Sequence, residues 1–122
     1  MAGPQANDLV KALAAIYEAC AGLKDYDGAT AEQLLRLLHV HHPTLNHVYR
    51  FASPQIEVFR ARLAADCDAL RHAIVLAQGS GGALEPREQV VRRAKECSHD
   101  AARLTGGLAL EGLWDPLPGD AA

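Results

Sequence analysis

"PQIEVFRARLAADCDALRHAIVLAQGSGG", residues 54–82, decides how this chain folds. Ile56, Phe59, Leu63, Cys67, Leu70, Ile74 and Ala77 follow one another at steps of three and four residues. A helix with 3.6 residues per turn gathers such positions into one stripe, close to the a and d seam of a heptad. Ser53 before Pro54 supplies the start, a hydroxyl N-cap followed by proline at the first helical position. "GSGG" at 79–82 reverses the chain with no side chain to pack. Beyond it Val90, Ala94, Cys97, Ala101, Leu104 and Leu108 repeat the same stepping. The expectation is a long antiparallel hairpin of two helices, over about 54–78 and 85–112. Gly106 and Gly107 weaken the end of the second by about 1 kcal/mol each relative to alanine.

Two shorter helices precede the hairpin. Leu9, Leu13, Ile16, Tyr17, Cys20 and Leu23 share a face of a helix over about 8–24, with Asn7 or Asp8 as its cap. "DYDG", 25–28, is a turn. Thr30, three residues before Gln33, makes a capping box that starts the second helix, and Pro43 ends or kinks it. "TLNHVYRFA", 44–52, offers at most one more helical turn. No segment alternates with period two over the length of a strand. The fold expected is all-α, an antiparallel four-helix bundle built on the hairpin. It forms a single domain over 1–122, with flexible tails at 1–6 and 114–122.

Composition supports that reading. Hydrophobic residues are 49% and aromatic ones only 5% of 122 residues, so the apolar content is mainly alanine and leucine, which lose little entropy in a helix. A chain of this length buries a core without cross-links. The formal charge of −3 is unevenly spread. Residues 1–35 hold two basic and five acidic groups, 36–103 ten and seven, and 104–122 three acids with no base. A basic centre so weak and so interleaved argues against nucleic acid. No apolar run reaches the roughly 20 residues of a membrane span, and "MAGPQANDLV" lacks the pattern of a secretory signal. Three widely spaced cysteines do not form a disulfide framework, which points to an intracellular, cytoplasmic setting.

Chemistry-bearing motifs are few. "HVHHPTLNH", 39–47, holds four of the six histidines. His39 and His42 share a helical face and His47 could fold back past Pro43, so these three are the candidate ligands of one transition-metal ion or cofactor. Against that, no aspartate or glutamate lies between Glu32 and Glu57 to complete or orient such a site. Glu96 and His99 read E-x-x-H once, where di-iron bundles use the motif on two helices. "LLRLL", 34–38, matches a groove-docking pattern that any short bundle helix also needs. With the turn centred on Gly81 and Gly82, Cys67 and Cys97 fall level and face each other, as small buried hydrophobes first and as a redox or metal pair second. Nucleophile elbows, phosphate loops and H-E-x-x-H are absent from the sequence.

The function expected is therefore a non-enzymatic interaction or adaptor subunit, assembling with itself or another helical protein through heptad-like faces. Its alternative is a metal- or cofactor-binding sensor that uses the 39–47 cluster. The long hairpin outreaches two short helices, so its open end should need a partner, with Ile56, Phe59, Val90 and Val91 as candidate contacts. Trp114 would serve as an anchor.

Overall fold

A computed structural model describes residues 6–112. Four helices run in chain order, α1 Ala6–Ala21, α2 Gly28–Leu45, α3 Pro54–Gln78 and α4 Leu84–Leu110, and no strand is present among the described residues. Connections of six, eight and five residues are too short to do other than reverse the chain at each end. α3 packs on α4, α4 on α1, α1 on α2 and α2 on α3, which closes an up-down-up-down four-helix bundle.

The hairpin forms as its sequence dictates. Ser53 Oγ accepts the Ile56 N–H at 3.2 Å, and α3 ends at Gln78. Gly81 and Gly82 take φ of 66° and 92° in the reversal, the left-handed region that a side chain resists. Every seam residue of the hairpin except Phe59 is buried, and Phe59 packs half-buried against the same core. Leu9, Leu13, Ile16 and Cys20 of α1 and Ala31, Leu34 and Leu38 of α2 close that core from the other side.

The second helix departs from expectation at both ends. Its cap is Asp27, not Thr30: the Asp27 carboxylate accepts the Thr30 N–H at 2.9 Å and the Thr30 hydroxyl at 2.5 Å. At the other end α2 runs through Pro43 to Leu45. Proline there removes only the N–H that would serve the carbonyl of His39, a residue on the exposed side where water can take its place. The carbonyls beyond it find other donors. Asn46 donates its N–H and its side-chain amide to His42 O at 3.1 and 2.9 Å. The Tyr49 hydroxyl donates to Thr44 O at 2.8 Å, and Arg60, buried on α3, donates to Leu45 O and to the carboxylate of Glu57. Three of the last four carbonyls of α2 are thereby satisfied, and the helix stops where its donors stop. Residues 46–53 form no further helix but carry Tyr49 and Phe51 onto the core.

Near its end α4 presses closely on α3. A Cβ at Gly107 would stand 3.1 Å from Ile56 Cδ1 and 3.2 Å from the Phe59 ring, whereas nothing lies within 4 Å of one at Gly106. Gly106→Ala should raise stability by about 1 kcal/mol through helix propensity. Gly107→Val should lower it by about 1–3 kcal/mol through overpacking. Urea unfolding of the two variants beside the parent measures both, and equal effects would mean that the close approach at Gly107 is absent.

Candidate functional site

The four histidines of "HVHHPTLNH" part company. His39 is exposed on α2. His41 is half-buried, and burial holds its pKa below the ordinary imidazole value. His42 turns toward α3, where its Nδ1 lies 3.2 Å from Arg71 Nη1, 3.2 Å from Asn46 Nδ2 and 3.6 Å from Asp68 Oδ1. With two donors aimed at it, Nδ1 acts as an acceptor and the ring proton belongs on Nε2. His47 lies beyond the helix, edge-on to Tyr49 with centroids 4.7 Å apart. Among the described residues no group of three or more His, Cys, Asp or Glu side chains is arranged to hold a metal ion.

The candidate partner contacts also find different places. Ile56 and Val90 are interior, at 1% and 0% exposure, and this corrects the expectation of an open end to the hairpin. For Ile56 the reason is the length of α2, which reaches Leu45 instead of stopping at Pro43, with the connection after it covering the start of α3; Val90 stands near the start of α4, beside the reversal rather than at the open end, and belongs to the core there. Phe59 and Val91 are half-buried. Trp114 lies outside the described residues.

Deeper in the bundle the fold assembles groups that stand far apart along the chain. Cys97 on α4 contacts both Cys67 on α3 and Cys20 on α1, and all three thiols are free and buried. The level pairing of Cys67 with Cys97 is thus present, and Cys20 joins it. Its hydrogen bond to Cys97, aided by burial, pushes the Cys20 thiol far above its ordinary value. For Cys97 the Cys20 contact pulls the other way, but the Cys67 contact and burial outweigh it and the net shift is upward. The thiolate is the reactive form, so the upward shifts of Cys20 and Cys97 disfavour their reaction.

One helical turn along, Asp100 of α4 meets Asp66 of α3. Asp100 is 7% exposed, and its Oδ2 has no hydrogen-bond partner among the described residues. Burial, the hydrogen bond to Asp66 and the charge of Asp66 raise its pKa to about 7, against the pull of Arg103 and Arg62. Arg103 Nη1 stands 3.9 Å from Asp100 Oδ1. Asp100 therefore keeps its proton to a pH above the ordinary carboxylate range. The signal for this pair was available in the register that levels Cys67 with Cys97, because the adjoining Asp66 and the next-turn Asp100 must then meet.

Two grooves open on the side where α1 meets α4. The larger, about 780 Å³, is lined by Leu13, Ala14, Tyr17, Glu18, Ala21 and Gly22 of the α1 side and by Ala102, Thr105 and Gly106 of α4. It is almost wholly apolar, and Tyr17 stands 48% exposed at its rim. The second, about 540 Å³, lies between the α1–α2 connection and the first half of α4. Tyr26, Leu84 and Val91 give it an apolar floor; Lys24, Arg87, Arg92 and Lys95 outnumber Asp25 and Glu88 around it. The guanidinium of Arg87 lies over the Tyr26 ring, 5.2 Å from its centroid. Also exposed are Val40, Val48, Val58, Val75, Leu76, Leu84 and Leu110. No described helix is long and apolar enough to cross a membrane.

The acid pair has a pH signature. An aspartate whose folded pKa is raised from about 4 to about 7 makes folding bind a proton, so its contribution is fully present below about pH 4. It is lost as pH rises toward 7, and it changes no further above that. Asp100→Asn removes the titration, so the stability of the variant relative to the parent should grow between pH 5 and pH 8. Denaturant unfolding at the two pH values reads this, and a constant difference would refute the raised pKa of Asp100. The thiols should resist an alkylating reagent at pH 8 in the native protein and react fully in denaturant, as counted by mass. No family model matches this chain, and neither a curated protein nor a solved structure does.

Proposed function

We propose that this protein is a non-enzymatic helical-bundle interaction subunit that assembles through its α1–α4 face, with a second copy as the simplest occupant. The observation that carries this reading is the apolar groove along that face. Alanine, glycine and threonine at 14, 21, 22, 102, 105 and 106 keep side chains short, so the backbone of another helix can approach closely. Tyr17 stands beside this hollow as a knob, half-exposed although it continues the apolar stepping of α1. A knob and a hollow on one face are what a two-fold, self-complementary contact requires. Burying the ring would remove a large apolar surface from water and keep its hydroxyl at the rim. An adaptor role toward another helical chain would use the same face in the same way. The burial of the three thiols, with Cys20 and Cys97 raised in pKa, supports a binding role over a catalytic one, since neither of those two is an activated nucleophile.

Sedimentation velocity from micromolar to near-millimolar protein tests the reading. The parent should associate reversibly, and Ala102→Glu, at an exposed position on the groove, should shift it to monomer. The melting temperature should stay within about 2 °C, because the substitution removes no core contact. A parent that stays monomeric throughout, or association that Ala102→Glu leaves intact, would overturn this face as the contact.

A further inference from the structure

The groove between the α1–α2 connection and the first half of α4 gathers cations that the rest of the fold does not use. Arg36, Arg60, Arg71, Arg93 and Arg103 are each paired with a carboxylate three or four residues away. Lys24, Arg92 and Lys95 line the groove, all three exposed, and among the described residues none has an ion pair or hydrogen bond. This holds although Asp25 and Glu88 line the same groove. Arg87, the fourth cation, is held without a carboxylate. Its guanidinium lies over the Tyr26 ring, and a Cβ at Gly82 would stand 3.1 Å from its Nη2. In a chain of net charge −3, such a concentration of unpaired positive charge is a local feature that calls for a negative partner.

The charges do not stand alone. Leu84, Arg87, Val91 and Lys95 follow one another at steps of three, four and four, so apolar and cationic side chains alternate along one stripe of α4. From Arg87 to Lys95 the stripe runs about 12 Å, or two helical turns. Leu84 is 72% exposed, and Val91 and Tyr26 are half-buried, so the floor between the charges is open to an apolar side chain. A site for one phosphate would converge its donors on a point, whereas these are strung along a line. A nucleic-acid backbone would match the charge but bring no aliphatic group to Leu84 and Val91. An acidic amphipathic helix brings both, with carboxylates and aliphatic side chains recurring at the same three-and-four spacing.

We propose that this groove binds an acidic amphipathic helical segment of another protein. Its apolar side chains lie on Leu84, Val91 and Tyr26, and its carboxylates meet Lys24, Arg92 and Lys95. The groove shares no lining residue with the apolar groove between α1 and α4, so this contact does not depend on self-association.

The probe is a synthetic peptide of about fifteen residues, with leucines at steps of three and four among glutamates. It is titrated at low salt into the isotopically labelled full chain and followed by the backbone amide resonances. Shifts should gather at residues 24–26 and 84–95, and added salt should weaken binding. Arg92→Gln with Lys95→Gln, both at exposed positions, should weaken binding about tenfold with the melting temperature kept within about 2 °C. Leu84→Ser should weaken it about threefold or more. Arg36→Gln with Arg50→Gln, an equal loss of charge away from the groove, should leave binding unchanged, as should Ala102→Glu. No shift with up to about a millimolar peptide would overturn the proposal, and so would equal weakening by the Arg36/Arg50 variant. A peptide with serine for leucine that binds as well would reduce the contact to charge alone and overturn it. A single-stranded oligonucleotide that binds the same residues more tightly would make nucleic acid the occupant instead. Self-association weakened by Arg92→Gln/Lys95→Gln would make a second copy the occupant, which also overturns the proposal.

Discussion

Register between α3 and α4 is the constraint on which the rest of this structure depends. The five-residue reversal, with Gly81 and Gly82 at positive φ, allows α4 to come back along α3 at one level only. That level sets Cys97 against Cys67, carries Asp100 to Asp66, and brings Gly107 down on Ile56 and Phe59. A slip of one residue would rotate the α4 seam by about 100° and lift the alanines and leucines of its buried stripe toward solvent. The slip that brings Leu108 to that level would also drive a larger side chain into the space that Gly107 leaves open. The glycine that looks like a weakness in helix propensity is thus part of what fixes the register.

Most of this architecture could be read from the sequence, because a stripe repeating at three and four over 25 residues admits no other local structure. α3 has the bounds that its cap, its proline and its glycine turn imply. The misreadings lie where a side chain competes with a local rule. Thr30 and Gln33 make a good capping box on paper, yet Asp27 takes the Thr30 N–H first because a carboxylate is the stronger acceptor. Pro43 carries a strong local signal to stop, yet the helix continues to Leu45 because Asn46, Tyr49 and Arg60 satisfy its last carbonyls. All of those donors arrive from beyond the helix, one of them from 15 residues away. Sequence periodicity has no access to them, and the missing end of α2 is what made the start of α3 look uncovered.

The interior illustrates a different kind of blindness. Hydropathy patterns treat cysteine as a hydrophobe and aspartate as a surface residue, and both rules hold for single residues. They do not hold for pairs. Once register levels Asp66 with Asp100, the charge of Asp66 joins burial in favouring the neutral form of Asp100. Arg62 and Arg103 temper this without cancelling it, since the Arg103 guanidinium approaches only to 3.9 Å. The same neighbourhood keeps the thiols quiet. A carboxylate close to Cys97 opposes formation of a thiolate there, in the same direction as burial. Charge, desolvation and hydrogen bonding together favour the neutral forms of Asp100 and Cys97 at this level of the bundle.

That neutrality bears on where function can reside. His42 meets Arg71 and Asn46 and His47 meets Tyr49, while the grooves lie at the surface of the bundle. The surface is not uniform. On the α1–α4 side the residues are small or apolar along one groove and basic along the next. Small side chains on a solvent-facing helix gain nothing from propensity at Gly106 and little from packing at Ala102 within the monomer. Their shortness leaves room for the close approach proposed for this face. An apolar hollow that continues into a charged groove also has a direction, because a ligand that fits it must be apolar at one end and acidic at the other. Polarity of that kind selects orientation as well as identity, which a merely sticky face cannot do.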